Sequence, residues 1–279
     1  MKKIVIVDLN GTMVDKTYEI TAPLERLKHS IYRAKSNGVV IGLSSDSPAE
    51  TLSAVMRDLG IDGPIVAEGG AVLRIDNKDT LLNSDGSVFR LCSNTLIDHL
   101  INNQQTSRLV SVGDVNRLSR LLVKHGDILG ANATEAIFIN RMRLASMSFF
   151  CFQRNGMKWV PYPKQLEYCT NWSLQYLSSN KLIIKSDLIV DCNIDYGISI
   201  LHHKDTKKSL AIQPLQTLYS NKKIFIIGDS MFDWHGEVDG VIHCAVANAS
   251  PEYKRHCMYV ADKPHTYGVI KLIDKISSL

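Results

Sequence analysis

Three short apolar runs, separated by segments with helical spacing, constrain the fold of this chain more than any other feature. The runs are residues 4–7, 39–43 and 64–67. They are rich in Val and Ile, as strands buried on both faces of a parallel sheet are. Between them, apolar residues recur every three or four positions in residues 24–34 and 52–59, and Gly38 and Gly60 then end the two helices. This alternation predicts an α/β fold with a doubly wound parallel sheet.

The pattern differs in the middle of the chain, where polar helices and mixed strands replace the buried strands. The elements predicted there are a helix at 114–125 and strands at 136–139, 146–152 and 182–190. The buried-strand pattern returns at 224–227, 242–246 and 258–260. We therefore expect a Rossmann-like core formed by residues 1–82 and 202–279, with an inserted α+β domain at residues 83–201.

The 279-residue chain has the composition of an ordinary globular protein, with 45% hydrophobic and 22% charged residues. It contains no apolar stretch near the roughly 20 residues that a membrane helix needs, and the run before Asp8 is too short for a signal-peptide core. Its six cysteines are scattered and form no CxxC pair, so we expect reduced thiols rather than disulfides or a zinc site. These features predict a cytoplasmic protein with no membrane partner.

The formal net charge is +4, and the basic residues form no dense stripe. The nearest candidates are the group Lys204, Lys207 and Lys208 and the pair at residues 222–223, which are too short for a nucleic-acid surface. We therefore expect no nucleic-acid partner. A mild positive bias suits an anionic substrate such as a phosphate ester.

Acidic residues follow two of the predicted core strands. Asp8 comes directly after residues 4–7, and Asp229 and Asp233 come soon after the first strand that follows the insertion. Ligands bind at the carboxyl ends of strands in an open parallel sheet, so these carboxylates are expected to converge there. A few carboxylates, together with water and phosphate, are the ligands that Mg²⁺ prefers. The sequence therefore predicts a Mg²⁺ site at this edge, with Gly11 allowing a tight turn beside it.

Hydroxyl groups and a lysine complete a candidate phosphoryl-transfer site. Ser44 and Ser45 follow the second core strand, where their hydroxyls are placed to bind phosphoryl oxygens. Lys204 comes just after the insertion and would neutralise negative charge, although Lys207 and Lys208 are near enough to take that role instead. Acids, hydroxyls and a lysine suit a reaction that depends on positioning and charge neutralisation.

The ordered set of these segments resembles the haloacid dehalogenase superfamily. Residues 8–12, DLNGT, are similar to its first motif, DxDGT, and residues 228–233, GDSMFD, are similar to its fourth, GDSxxD. Ser44 stands where the second motif has Ser or Thr, and residues 204–206 are similar to the segment with the family's lysine. Further segments resemble the Cof-type subgroup, whose large cap lies between the second and third motifs; they are residues 67–71, 246–252 and 267–269.

The resemblance implies a role for each matching residue. Asp8 would attack phosphorus and form an aspartyl-phosphate. Mg²⁺ would be bound by Asp8, by the backbone carbonyl of Asn10 and by Asp229, with support from Asp233. Phosphate and substrate would contact Gly11, Thr12, Ser44, Ser45, Lys204 and Asn248. The inserted domain would be a cap that sets specificity in a Mg²⁺-dependent phosphatase of small phosphorylated metabolites, such as sugar phosphates, active as a monomer or a homodimer.

Asn10 departs from the family pattern, because phosphatases of this family usually carry an aspartate there that protonates the leaving oxygen and later activates water. An amide can do neither, and the loss of such help typically costs about 10²–10⁴-fold in rate. Three explanations stay open: another group transfers the protons, the natural activity is slow or non-hydrolytic, or the residue is an engineered change. A weakly catalytic binder of a phosphorylated ligand and a phosphotransferase or mutase are therefore alternatives to a phosphatase.

Two smaller departures lie within the motifs. Phe232 stands where the family usually has Asn, and Ser45 and Asp46 stand where it usually has Gly and Arg. Both departures bear on substrate orientation or metal affinity. His235 follows the fourth motif closely and is expected to be a solvated helix residue rather than a substitute for the missing acid.

Overall fold

The chain folds into two units, which a computed structural model describes for residues 3–15, 18–83, 86–102, 107–111, 134–156, 158–220 and 222–279. The core unit comprises the described residues of 3–82 and 207–279, and the inserted unit comprises those of 83–206. Residues 202–206, which the sequence interpretation placed in the core, therefore group with the inserted unit. The helix predicted at residues 114–125 lies outside the described residues.

The helices and strands of the two units have the following bounds. The core unit begins with β1 (Lys3–Asp8), α1 (Leu24–Ser36), β2 (Val39–Ser44), α2 (Ala49–Leu59), β3 (Ile65–Ala67), β4 (Val72–Ile75) and β5 (Lys78–Leu81). The inserted unit contains α3 (Ser87–Asn102), β6 (Ser107–Ser111), β7 (Glu135–Ile139), β8 (Ser146–Asn155), β9 (Lys158–Pro161), α4 (Pro163–Ser179), β10 (Leu188–Asn193) and β11 (Ile198–His203). The core unit resumes with α5 (Ile212–Leu218), β12 (Lys223–Gly228), β13 (Val241–Ala245), α6 (Pro251–Arg255), β14 (Tyr259–Val260) and α7 (His265–Ser278).

The strands of the core unit form one sheet in the order β14–β13–β12–β1–β2–β3–β4–β5. The pairs from β14 to β3 are parallel, and only β4 and β5 extend the sheet in antiparallel fashion. Residues 4–7 of β1 are all buried although successive side chains of a strand point to opposite faces, so both faces of the sheet are covered there. The predicted α/β fold with a parallel core sheet is confirmed.

Aliphatic side chains pack one face of this sheet against α5. Ile4 and Ile6 of β1, Ile224 and Ile226 of β12, and Leu215 of α5 belong to one buried cluster. Burying an aliphatic side chain of this size typically stabilises a fold by about 1.5–3 kcal/mol. The cluster therefore contributes much of the free energy that holds β1 beside β12, two strands that the inserted unit separates in sequence.

Three strand ends meet at the carboxyl edge of the sheet. Asp8 pairs in register with Ser44 at the end of β2. On the other side of β1, Val7 pairs with Ile227 of β12, which brings Gly228 level with Asp8. The loops that follow these three parallel strands therefore leave the sheet at the same edge, where ligands bind in open α/β folds.

The strands β4 and β5 were not predicted, although their turn has a recognisable sequence. Asp76 and Asn77 connect them, and both residues have a positive φ, 48° and 61°. Positive φ at both central residues is the feature of the tight type I′ hairpin turn, which favours Asn and Asp. The consecutive Asp and Asn at residues 76–77 could therefore have predicted the hairpin from the sequence.

The inserted unit is an α+β structure. Its sheet has the order β10–β11–β8–β7–β6, with β9 paired to β8. The helices α3 and α4 pack on this sheet through Phe89, Leu96 and Leu166, which share one buried cluster with Ile137 and Phe149 of the strands. Two of the predicted strands, 136–139 and 146–152, correspond to β7 and β8.

The strand predicted at residues 182–190 is only partly correct. Its second half belongs to β10, but Lys185–Asp187 form a 3₁₀ turn that interrupts the apolar pattern. Before the turn, the backbone N–H of Leu182 donates to the carbonyl of Leu177 at the end of α4. Leu182 and Ile183 therefore close the helix and pack against its cluster rather than joining the sheet.

Two further sequence expectations concern the environment of the chain. All six cysteines are free, as the absence of a CxxC pair predicted. Within the described ranges, none of the helices has both the length and the apolar character that crossing a bilayer requires.

Candidate active site

Asp8 ends β1, and its carboxylate is buried among charged side chains. Its Oδ1 accepts a hydrogen bond from Nζ of Lys208 at 2.6 Å. Its Oδ2 is also buried but has no hydrogen-bond partner among the described residues. A buried acceptor without a donor typically costs about 1–3 kcal/mol. Oδ2 is therefore the oxygen that is available to a cation or to an electrophilic phosphorus atom.

Lys208, not Lys204, is the lysine that contacts Asp8. Lys208 is buried at the start of the 3₁₀ turn Lys208–Ala211, and its ammonium lies 2.6 Å from both Asp8 Oδ1 and Asp233 Oδ1. Lys204 follows β11, and its ammonium instead lies 2.6 Å from Asp187 Oδ1 within the inserted unit. The sequence prediction for Lys204 is therefore corrected to Lys208, one of the two alternatives.

The position of Lys208 follows from the segment after it. Ala211, Ile212 and Leu215 have helical spacing and are buried in the cluster beneath the core sheet. Because these residues fix the start of α5 against the sheet, the lysine one turn earlier is held next to the end of β1. In the sequence, a lysine directly before apolar residues at helical spacing could have identified Lys208 as the residue held at the end of β1.

Three carboxylates, those of Asp8, Asp229 and Asp233, form a group whose potential ligand atoms lie within 4.8 Å of one another. Asp233 is almost completely buried, and both its oxygens are engaged: Oδ1 with Lys208 and Oδ2 with the backbone N–H of Asp229 at 3.1 Å. Asp8 Oδ2, in contrast, has no hydrogen-bond partner among the described residues, so the group keeps an oxygen for a cation. This donor set fits a hard cation such as Mg²⁺.

Burial and charge repulsion act on the pKa values of this group. Burial raises the pKa of Asp8; Lys208 opposes the shift, and Asp233 and Asp229 add to it. Burial likewise raises the pKa of Asp229, with Asp233 acting in the same direction. Burial lowers the pKa of Lys208, but the attraction of Asp233 and Asp8 outweighs it and the net shift is upward. Lys208 therefore stays charged. A second cation at this position would reduce the charge repulsion among the three carboxylates.

Gly11 makes the close packing of the first and fourth motifs possible. Its φ is 83°, and a Cβ at this position would lie 2.5 Å from Oδ2 of Asp229. A side chain would therefore meet both backbone strain and a carboxylate oxygen. This requirement explains why glycine stands here, and the contact of Gly11 with substrate stays a prediction.

Two hydroxyls next to Asp8 lack partners. Oγ1 of Thr12 and Oγ of Ser44 are buried and have no hydrogen-bond partner among the described residues. Ser45 differs, because its Oγ accepts from Nδ2 of Asn10 at 3.4 Å and donates to Oγ of Ser47 at 3.2 Å. Of the two serines predicted to bind phosphate, Ser44 has a free hydroxyl, whereas Ser45 stabilises its own loop.

Asn248 holds the loop after β1 rather than lining the cavity. Its Nδ2 donates to the carbonyl oxygen of Gly11 at 2.7 Å, and its Oδ1 accepts from the backbone N–H of His265 at 2.9 Å. Nδ1 of His265 also lies 2.9 Å from the same carbonyl oxygen. Both residues therefore fix the backbone next to Asn10.

A cavity of about 240 Å³ opens above Asp8. Its lining residues are Asp8, Asn10, Asp46, Lys208, Asp229, Ser230 and Phe232. Asp46 and Phe232 were noted in the sequence only as departures from a motif, and the structure brings both to the cavity. Phe232 is 84% exposed, which is unusual for an aromatic side chain and places an apolar surface at the mouth.

A family model for haloacid dehalogenase-like hydrolases matches residues 5–149. The chain belongs to this family. The prediction that it is an enzyme of the haloacid dehalogenase-like hydrolases is thereby confirmed.

Other members and similar folds extend the match along the whole chain. A phosphoglycolate phosphatase of Staphylothermus marinus is 20% identical over 280 residues, which cover 99% of this chain and 98% of that protein. A phosphoglycolate phosphatase of Thermoplasma volcanium is 30% identical over 94 residues, 34% of this chain and 37% of that protein. A crystal structure from Thermoplasma acidophilum, 19% identical, has a TM-score of 0.61 and covers 100% of this chain and 99% of that one.

Asn10 places a neutral amide where the family resemblance predicts an aspartate. Its Nδ2 donates to Ser45, and its Oδ1 is buried without a partner in the described part of the chain. A neutral amide keeps its protons at ordinary pH, so Asn10 can position a neighbour but cannot act as an acid or a base.

His235 follows the fourth motif but does not line the cavity. It follows the 3₁₀ turn Met231–Asp233, outside any helix, and it is half-buried, so the expectation of a solvated helix residue is wrong. Burial lowers the pKa of His235 to about 4. His235 is not among the residues that line the cavity.

Proposed function

We propose that this chain is a Mg²⁺-dependent phosphatase of small phosphorylated metabolites, such as sugar phosphates, that transfers the phosphoryl group to Asp8. The observation that carries the proposal is the free Oδ2 of Asp8 in a cavity that also contains Lys208 and Asp229. A buried carboxylate beside a lysine and a cation site suits attack on phosphorus, because the reaction needs both a nucleophile and charge neutralisation. The phosphatase names of the two relatives support the same reaction class.

Each residue of the site in the core unit has a different role in this reaction. Oδ2 of Asp8 attacks phosphorus and forms an aspartyl-phosphate, and water then releases inorganic phosphate. Lys208 balances the negative charge that the phosphoryl group brings, and the hydroxyl of Ser44 is free to donate a hydrogen bond to it. Asp8, Asp229 and the backbone carbonyl of Asn10 would hold Mg²⁺, with Asp233 in support; the cation supplies further neutralisation of phosphate charge.

The inserted unit is assigned the role of a specificity cap. Its support is its place in the chain, as a separate α+β unit between the second and third motifs. A cytoplasmic location fits the six free cysteines. That the enzyme acts as a monomer or a homodimer remains part of the prediction.

Phosphate release from a panel of esters tests the proposal. The panel contains an aryl phosphate, several sugar phosphates and phosphoglycolate, each with Mg²⁺. Asp8→Asn is the matched control, because it keeps the shape of the side chain and removes the nucleophilic carboxylate. Release by the native chain well above Asp8→Asn supports a phosphatase. Equal release from both proteins across the panel contradicts it.

A binder of phosphorylated ligands is the second candidate, and the amide at Asn10 favours it. A binder would be stabilised against heat by inorganic phosphate or a phosphate ester and would release no phosphate. If esters of the same panel raise the melting temperature of the native chain but no phosphate is released from any of them, the second proposal replaces the first.

A further inference from the structure

A phosphatase that works through Asp8 needs a group that delivers and removes a proton in the cavity, and the cavity offers few candidates. Lys208 is held between two carboxylates and stays charged. Ser230 caps the 3₁₀ turn that follows it, with its side chain accepting from the backbone of Asp233. Asp229 belongs to the candidate cation site. Among the lining residues, this leaves the carboxylate of Asp46.

Asp46 lies on the side of Asp8 that the cation site does not use. It follows β2, which neighbours β1 on one side, whereas Asp229 follows β12 on the other. The two carboxylates therefore reach the cavity from opposite neighbours of the central strand. The candidate cation site uses carboxylates that follow β1 and β12, whereas Asp46 adds a carboxylate from the loop after β2.

The carboxylate of Asp46 is open to solvent as well as to the cavity. The residue is exposed, and no hydrogen bond or ion pair engages its side chain within the described residues. Asp46 is close enough to Lys208 to contribute to the upward shift of the pKa of that lysine. Exposure also gives the carboxylate direct access to water, which the second half of the reaction consumes.

Asn10 is linked to the loop that carries Asp46. Its Nδ2 donates to Oγ of Ser45 at 3.4 Å, and the same oxygen accepts from the backbone N–H of Ser47 at 3.1 Å. Ser45 and Ser47, which flank Asp46, are therefore hydrogen-bonded to each other, and Ser45 is also hydrogen-bonded to Asn10. The amide therefore holds in place the loop that supplies a carboxylate.

We propose that Asp46 is the catalytic acid and base of this enzyme and that Asn10 positions its loop. The inference rests on the proposed phosphatase function. In the first step, Oδ2 of Asp8 bonds to phosphorus, the ester P–O bond breaks, and the leaving oxygen takes the proton of Asp46. In the second step, Asp46 takes a proton from water, the water oxygen bonds to phosphorus, and the bond to Asp8 breaks. The sum is one ester and one water converted to an alcohol and inorganic phosphate.

The experiment compares two substrates that need the acid to different degrees. Nitrophenolate leaves without protonation, whereas the alkoxide of glycerol 2-phosphate requires a proton. The proteins are the native chain, Asp46→Asn, Asn10→Asp and the double variant, with Asp62→Asn as a control for an exposed aspartate outside the site. The readouts are steady-state turnover with Mg²⁺, the rapid burst of nitrophenolate, and phosphate bound covalently to the protein.

For Asp46→Asn we expect turnover of glycerol 2-phosphate to fall by about 10²–10⁴-fold, the usual range for a lost acid or base. With p-nitrophenyl phosphate, the same variant should give a burst of about one nitrophenolate per chain, because phosphorylation of Asp8 proceeds and hydrolysis stalls. Adding Asn10→Asp should restore turnover, since it puts a carboxylate back two residues after the nucleophile.

Two results would overturn the inference. One is turnover by Asp46→Asn that matches the Asp62→Asn control on both substrates. The other is an equal loss on both substrates with no burst and no rescue, which would make Asp46 a binding or structural residue. If Asp46→Asn does not fold, Asp46→Ala takes its place in the same comparison. A native chain no more active than Asp8→Asn would instead contradict the proposed function itself.

Discussion

The ammonium of Lys208 lies 2.6 Å from Oδ1 of Asp8, and water reaches little of either side chain. The whole inserted unit lies between the two residues in sequence, yet this ion pair joins the first strand to the 3₁₀ turn that precedes α5. A buried pair of this kind is strongly destabilised when one partner is removed, because the other charge is left without compensation. The pair therefore links the stability of the core unit to its candidate chemistry.

Lys208→Met should destabilise the core unit and abolish phosphate release. Removing one partner of a buried ion pair typically costs about 3–5 kcal/mol. Lys204→Met is the matched control, since Lys204 pairs with Asp187 at the surface of the inserted unit and should change little. Urea unfolding gives the free energy of unfolding, and phosphate release gives the activity. A larger loss in Lys204→Met would restore the original assignment of the site lysine.

Mg²⁺ should stabilise the native chain against heat, and this effect should depend on Asp229. A ligand at one hundred times its dissociation constant stabilises a folded protein by about 2.7 kcal/mol. Asp229→Asn removes one carboxylate of the cation site and should lose most of the Mg²⁺ effect, whereas Asp239→Asn, at an exposed position, should keep it. Calorimetric melting curves with Mg²⁺ and with EDTA provide the measurement. A Mg²⁺ shift that survives unchanged in Asp229→Asn would place the cation elsewhere.

Gly11→Ala should impair cation binding in addition to costing stability. Gly11 and Gly38 both have positive φ, 83° and 76°, and an alanine there costs about 1–2 kcal/mol of backbone strain. A Cβ on Gly38 meets no atom within 4 Å, but one on Gly11 meets the carboxylate of Asp229. Without Mg²⁺, Gly11→Ala should therefore lose at least as much stability as Gly38→Ala, and only Gly11→Ala should lose the Mg²⁺-dependent gain. Equal gains in the two variants would argue against a cation between these motifs.

Acid should destabilise the fold through His243. Burial lowers the pKa of His243 to about 4, and its Nε2 accepts from the backbone N–H of His235 at 3.3 Å. The unfolded chain, with a histidine pKa near 6.5, binds the proton first, so stability is full above about pH 6.5 and falls as the pH drops towards 4. At about 1.4 kcal/mol per pKa unit, discounted for partial solvent access, the loss is about 2 kcal/mol.

His243→Gln tests this assignment, because the glutamine oxygen can accept the same hydrogen bond without titrating. Free energies of unfolding measured between pH 7 and pH 4 should fall less steeply for the variant than for the native chain. Parallel profiles would show that other groups cause the acid sensitivity.

The sequence predicts the features of the site that depend on strand ends. The apolar runs before Asp8 and Asp229 mark buried parallel strands, and in such a sheet the residues that follow converge whatever lies between them. The core fold and the grouping of Asp8, Asp229 and Asp233 follow from this regularity. The family match confirms the fold class on which these predictions were based.

Features that depend on loop geometry were harder to predict. Lys204, Lys207 and Lys208 differ by only a few positions, and their assignment depends on where β11 ends and α5 begins. In the same way, a one-residue difference separates Ser44, with a free hydroxyl, from Ser45, which is engaged in its own loop. A spacing pattern defines an element to within a residue or two, whereas a contact in the site requires the exact position.

The order in which the core sheet is assembled from the chain has a consequence for protein synthesis. β1 lies between β2 and β12, so the strand made first needs a neighbour that is made after the whole inserted unit. A nascent chain on the ribosome would carry Asp8 and Ser44 long before Lys208 and Asp229 emerge. During that interval one edge of β1 and part of its aliphatic face lack their partners, which favours aggregation of the unfinished core. Products that end before β12 would accordingly contain Asp8 without Asp229, and their core sheet would stay incomplete.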